Sequence, residues 1–243
     1  MLRNSLGALS ACACVLSLGQ ACASGFVDDS HADLVMRNYY FDRNYVNATP
    51  QAAAREWAQG FILNVRSGFT EGPVGFGLDA QGLLGVRLDS SRARAGTGLL
   101  PYSATTREPA DEYSELGLTA KVRASKSELQ LGTISTFLPI AFASPTRLLP
   151  QTFRGAYLKS QEIDKLTLHG GWLDSINLRD STDYQKMSVA SPNGRFNGAA
   201  ESDRFSFLGG DYAWSPQLTL KYYHAELADL YRKDFYGFVD NRP

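Results

Sequence analysis

The 243-residue chain is long enough for one large domain and carries 24 basic against 25 acidic side chains, so no positive excess argues for a nucleic-acid partner. All three cysteines, Cys12, Cys14 and Cys22, fall in the first 22 residues. The rest has no disulfide framework, no Cys metal site and no run near the ~20 apolar residues that a membrane-spanning helix needs.

The first element is an export signal over residues 1–23. Arg3 supplies a positive head, Ser5 to Gly19 is apolar and small, and Ala21-Cys22-Ala23 before Ser24 has the small-x-small form of a cleavage site. Gly19 stands where a lipobox before Cys22 would place a branched apolar residue, so cleavage without lipidation is expected. Removing residues 1–23 takes Arg3 and no acid, leaving 23 basic against 25 acidic, a net charge of −2.

Beyond the signal the recurrent period is two, the mark of strands with one apolar and one polar face. Leu34 and Met36 alternate with Asp33 and Arg37. Trp57, Phe61, Leu63 and Val65 alternate with Gly60, Asn64 and Arg66. From Val74 to Asp89 the alternation runs longer than most soluble strands. Leu116 to Ala124 sets Leu116, Leu118, Ala120 and Val122 against Gly117, Thr119, Lys121 and Arg123. Shorter repeats follow at Leu129–Leu131, Ala156–Leu158, Leu166–Trp172, Phe205–Phe207 and Leu218–Tyr222, giving nine strands.

Tight turns at Thr70–Pro73, Ser125–Ser127, Ile163–Lys165 and Ser215–Gln217 alternate with long connections at Asn44–Arg55, Ser90–Tyr113, Phe137–Phe153 and Leu178–Asp203. That rhythm predicts an all-β fold, a transmembrane up-and-down antiparallel β-barrel with short inner turns and long external loops. Aromatics near strand ends, among them Tyr39, Tyr40, Phe41, Trp57, Trp172, Tyr223, Phe235 and Phe238, read as girdles at the headgroups. A β-sandwich core is the competing account.

If the apolar parity faces lipid, the polar parity faces the lumen and places Arg37, Arg43, Arg66, Arg87, Lys121, Arg123, Lys159 and Lys221 there. Such a track attracts anions, although each member could instead pair with a nearby acid as lumen filling. The segment 137–153 has Pro139, Pro145 and Pro150, five bulky apolar residues that an external loop has no need of, and Arg147; Arg154 follows it. It reads as a loop folded into the lumen as a constriction, tolerated at membrane depth only inside a barrel. Gly75-x-Gly77-x-x-Ala80 imitates a dinucleotide loop but sits inside a strand with no helix after it. His31, His169 and His224 lack metal-ligand spacing, and no nucleophile elbow is present.

These blocks resemble, in order, the OprD-type outer-membrane porins: Gly25-Phe26-Val27, Leu34 to Phe41, Glu56 to Phe61, Ser67-Gly68-Phe69-Thr70, Val74 to Asp79, Lys121 to Lys126, Arg147 to Thr152, and Ala225-Glu226-Leu227 with Leu230-Tyr231-Arg232. The resemblance implies an eighteen-stranded, monomeric channel in the Gram-negative outer membrane, of which residues 24–243 are the N-terminal half, in contact with membrane lipid. A weakly associated trimer is the alternative assembly. It implies passive uptake of small carboxylate-bearing nutrients along a basic ladder, with Arg43 and Arg55 as rungs, Arg147 at the constriction and Arg154 as a weaker member. No enzymatic activity, cofactor or metal is expected. A general diffusion barrel, or a barrel hydrolase, is the competing function. Nine strands against eighteen lead to the expectation that the sequence is partial.

Overall fold

The computed structural model describes residues 24–46, 51–189 and 200–242; the signal expected over residues 1–23 lies outside them. After a five-residue helix, Ser24–Asp28, ten long strands follow: β1 (His31–Asn44), β2 (Ala53–Arg66), β3 (Val74–Asp89), β4 (Glu112–Ala124), β5 (Ser127–Ile134), β6 (Thr152–Ser160), β7 (Leu166–Asn177), β8 (Phe205–Ala213), β9 (Leu218–Leu227) and β10 (Tyr231–Asp240). Each is hydrogen-bonded to the next in chain order, antiparallel throughout, and Tyr184–Gln185 adds to the outer end of β7. Among the described residues β1 and β10 are the two edges of the path.

The alternation that builds the strands sorts their side chains. Leu34 and Met36 on β1, Phe76 and Leu78 on β3, Leu116 and Leu118 on β4 and Tyr236 and Phe238 on β10 are exposed on one face; Leu116 is 74% and Tyr236 76% exposed. Large apolar groups in such a continuous band are at home against lipid rather than water. The opposite face holds glycines, polar groups and two buried apolar clusters.

The aromatics divide by parity rather than by nearness to strand ends. Tyr40, Trp57, Trp172, Tyr212 and Tyr236 are outward and exposed, whereas Tyr223 is wholly buried on the inner face and Phe235 packs beside it. Tyr39 and Phe41 also point inward, so the run Tyr39-Tyr40-Phe41 contributes one girdle residue and two lumenal rings.

β10 adds a strand to the nine expected. Its outward positions carry Arg232 and Asp234 as well as Tyr236 and Phe238, which breaks the apolar alternation. The acids and bases are matched across the hairpin: Arg232 meets Glu226, and Asp234 meets His224 at 2.9 Å. The connection from β9 to β10 is only Ala228 to Leu230, so on the side of the long loops one link is tight.

Inner glycines admit rings from neighbouring strands. At Gly209 on β8 an added Cβ would overlap the Tyr223 ring and stand 2.5 Å from the Tyr222 carbonyl oxygen. Gly209→Ala is therefore expected to cost roughly 1–3 kcal/mol through overpacking, read as a lower unfolding temperature of the detergent-folded barrel; a parental melting curve would show that the ring moves aside freely.

Candidate functional site

The segment between β5 and β6 crosses the inner face of the sheet. Near its start Leu138, Ile140, Ala141 and Ala143 pack into one cluster with Ile134, Phe153, Leu173, Phe207 and Tyr223. Near its end Leu148 and Leu149 enter the other cluster, with Ala58, Ile62, Leu83, Leu99, Leu100 and Tyr113. One strap thus joins the inner faces of β2 to β4 with those of β7 and β8, and burial of Leu148 and Leu149 contributes about 1.5–3 kcal/mol each. Gly60 makes room for it, since a Cβ there would stand 3.0 Å from the Leu148 Cγ.

Arg37, pointing inward from β1, ties the strap down. Its Nη1 donates to the carbonyl oxygens of Pro145 at 2.9 Å and Arg147 at 3.0 Å. The connection 90–111 supplies a second support. Glu56, wholly buried on β2, accepts from the Thr97 backbone N–H at 2.8 Å, from the Thr97 hydroxyl and from Ser90 Oγ at 3.0 Å. The Thr97 carbonyl in turn accepts from Arg147 Nε at 3.4 Å.

On this base two guanidiniums share one ring. Arg147 Cζ lies 5.0 Å from the Phe41 ring centroid and Arg43 Cζ lies 5.2 Å from it, which leaves the two no more than about 10 Å apart. Tyr39 stacks on the same ring at 6.5 Å. Arg179 joins through Thr146, its Nη1 donating to the Thr146 hydroxyl at 3.0 Å. Among the described residues no carboxylate lies within ion-pair distance of Arg43, Arg147 or Arg179. Cations without acidic partners in a water-filled concavity focus positive potential and bind anions weakly.

The other basic residues are differently employed. Lys121 is buried, with Nζ 2.6 Å from Asp79 Oδ1 and 3.0 Å from the Ser67 carbonyl. Arg66 stands 3.6 Å from Asp33, Lys221 2.6 Å from Asp211, and Arg87 pairs with Asp111. Arg123 lies 4.1 Å from the Phe69 centroid near the inner turns, away from the strap. Arg154 pairs with Asp174 at 3.2 Å and covers the Tyr184 ring at 5.3 Å. Tyr184, in the external connection, donates to Glu115 at 2.5 Å; its burial first, and that carboxylate second, push the phenol up to about 12.

Arg55 corrects the expectation of a lumenal rung. It lies on the outward parity of β2 with Trp57, opposite Asp42 in the register, and its Nη2 is 2.9 Å from Asp42 Oδ2. The side chain one position on, Glu56, is the inward one.

Comparison with known proteins follows from this geometry. A family model described as outer membrane porin, OprD family, matches residues 24–243. The porin-like protein GalP of Pseudomonas putida is 40% identical over 225 residues, covering 92% of this chain and 53% of that protein. Among solved structures, OccAB3 of Acinetobacter baumannii superposes with a TM-score of 0.85 at 44% identity, over 89% of this chain and 54% of that one. OpdK of Pseudomonas aeruginosa, solved with vanillate, gives 0.80 at 38% identity, over 90% and 55%. The chain spans about half the length of the relatives it matches.

Proposed function

From the premise that the chain belongs to the OprD family of Gram-negative outer-membrane porins, we propose that it forms part of a substrate-selective pore for passive uptake of small carboxylate-bearing solutes. The family's members are channels, and the work here is guidance without bond making. The observation that carries the reading is the pair Arg43 and Arg147, held on Phe41 beside the strap with no carboxylate within ion-pair distance among the described residues. A solute carboxylate entering past the external loops meets these guanidiniums, whose planar forks suit two oxygens, and leaves because contact with water keeps the binding weak.

Below the strap, Arg123 and Lys159 lie on the inward parity and continue the basic wall, while Arg66 and Lys121 are paired with Asp33 and Asp79. The vanillate in the OpdK structure, an aromatic carboxylate, supports the solute class. In this reading one chain lines one pore and the outward apolar band meets outer-membrane lipid.

Arg147→Ala in the complete porin tests the proposal. A charge-assisted hydrogen bond contributes about 1.5–3 kcal/mol, so block of single-channel current by benzoate is expected to weaken roughly tenfold or more. Unaltered block would favour a general diffusion barrel.

A further inference from the structure

Phe41 stands where its chemistry is unexplained by packing alone. The inner face of β1 offers it the apolar cluster of Leu148, Leu99 and Tyr113, and Tyr39 stacks beside it, contacts that account for a bulky apolar side chain but not for the cations on its ring. The ring carries two like charges, Arg43 from its own strand and Arg147 from the strap, at nearly equal distances of 5.2 and 5.0 Å from the centroid. Two guanidiniums within about 10 Å of each other and without ion-pair partners repel one another, and long side chains on a wet surface would swing apart into separate orientations. An aromatic face counters this through its negative quadrupole, which attracts each guanidinium without using up the N–H donors at its edge.

We propose that Phe41 is a positioning residue for selectivity: it gathers Arg43 and Arg147 on one ring and leaves their N–H edges directed to a passing anion. An acid could gather them too, but it would neutralise the charge, as Asp79 does for Lys121 at 2.6 Å. The aromatic ring is the means of holding cations together while they stay available. Arg147 is fixed at its backbone by Arg37, and its Nε and Nη1 donate to the carbonyls of Thr97 at 3.4 Å and Thr146 at 3.2 Å, so the ring supports a guanidinium whose Nη2 has no acceptor among the described residues. Arg43 is less constrained: among the described residues its guanidinium has no hydrogen bond or ion pair and lies near two rings, Phe41 and, at 6.0 Å, Tyr45. Its orientation is the one that depends most on Phe41.

The inference rests on the reading of Arg43 and Arg147 as carboxylate guides, and the test separates the two. In the complete porin, phenylalanine at position 41 is replaced by 4-fluoro- and then 3,4,5-trifluorophenylalanine, which keeps the ring's shape while draining its π charge, and also by Leu and by Tyr. Benzoate block and the reversal potential in a KCl gradient report anion preference; conductance in symmetric KCl reports pore width. Expected is a graded loss of benzoate affinity with fluorination, reaching on the order of fivefold for a lost contact of this kind, a comparable loss with Phe41→Leu, and near-parental affinity with Phe41→Tyr. Equal affinity across the fluorinated series would overturn the proposal, and because that series preserves shape it remains decisive if Phe41→Leu fails to fold. If Arg147→Ala weakens block while fluorination does not, the guide reading stands and the role of Phe41 falls; if Arg147→Ala itself has no effect, both fall.

Discussion

Arg37→Ala is expected to widen the pore and loosen its selectivity together. The guanidinium reaches across more than a hundred residues of sequence to hold two carbonyl oxygens, those of Pro145 and Arg147, at the corner where the strap turns toward β2. Hydrogen bonds from a charged donor contribute about 1.5–3 kcal/mol apiece, so the pair outweighs any other polar tie of the strap to β1. The variant does not expel the segment, because Leu148 and Leu149 remain buried beside Ile62 and Leu83. What it frees is the stretch from Pro145 to Arg147, and with it the guanidinium of Arg147. Single-channel recording should show higher conductance, more current noise and at least tenfold weaker benzoate block. Arg37→Lys should fall between, since a single ammonium can donate to both carbonyls as Nη1 does but lacks the fixed planar direction of the guanidinium. Parental conductance and noise in Arg37→Ala would show that the apolar contacts alone set the strap.

Much of this architecture is legible in the sequence because a barrel wall meets two different media and each imposes the same period of two. The phase of that period is more informative than motif order. Trp57, Phe61, Leu63 and Val65 already assign odd positions of β2 to the lipid side, which puts Arg55 outward with them; matching it to a family rung set that phase aside. The same phase separates Tyr40 from Tyr39 and Phe41, although all three read alike as girdle aromatics. β10 is masked in the sequence because Arg232 and Asp234 occupy outward positions, and their partners Glu226 and His224 emerge only when the hairpin is paired. Ion-pair status is likewise invisible along the chain. Lys121 and Arg123 look equivalent on one face of β4, yet the register brings Asp79 to the first and leaves the second over Phe69. The inward course of connection 90–111 has the faintest signal of all: two bulky aliphatic residues, Leu99 and Leu100, in a loop made mostly of small and polar ones. Long-range closure of this kind depends on what the loop meets rather than on its own pattern.

That loop leads to the largest expected loss of stability. Glu56→Ala removes a wholly buried carboxylate whose described partners are hydrogen-bond donors: the Thr97 N–H and hydroxyl, and Ser90 Oγ. Thr97 is itself buried, so its N–H would be left without water or acceptor, and each such donor costs roughly 1–3 kcal/mol. The void left by the side chain adds to this, for a total of several kcal/mol. Glu56→Gln should cost less, because the amide oxygen can still accept from both Thr97 donors while the new NH₂ can donate to the Ser90 hydroxyl. The functional consequence passes through Thr97, whose carbonyl accepts from Arg147 Nε. Loosening the 90–111 connection therefore removes one of the supports that aim Arg147, and benzoate block should weaken in step with the fall in unfolding temperature across Glu56→Gln and Glu56→Ala. A destabilised variant with parental benzoate affinity would separate the two, leaving Glu56 as a fold residue only and placing the aim of Arg147 with Arg37 and Phe41.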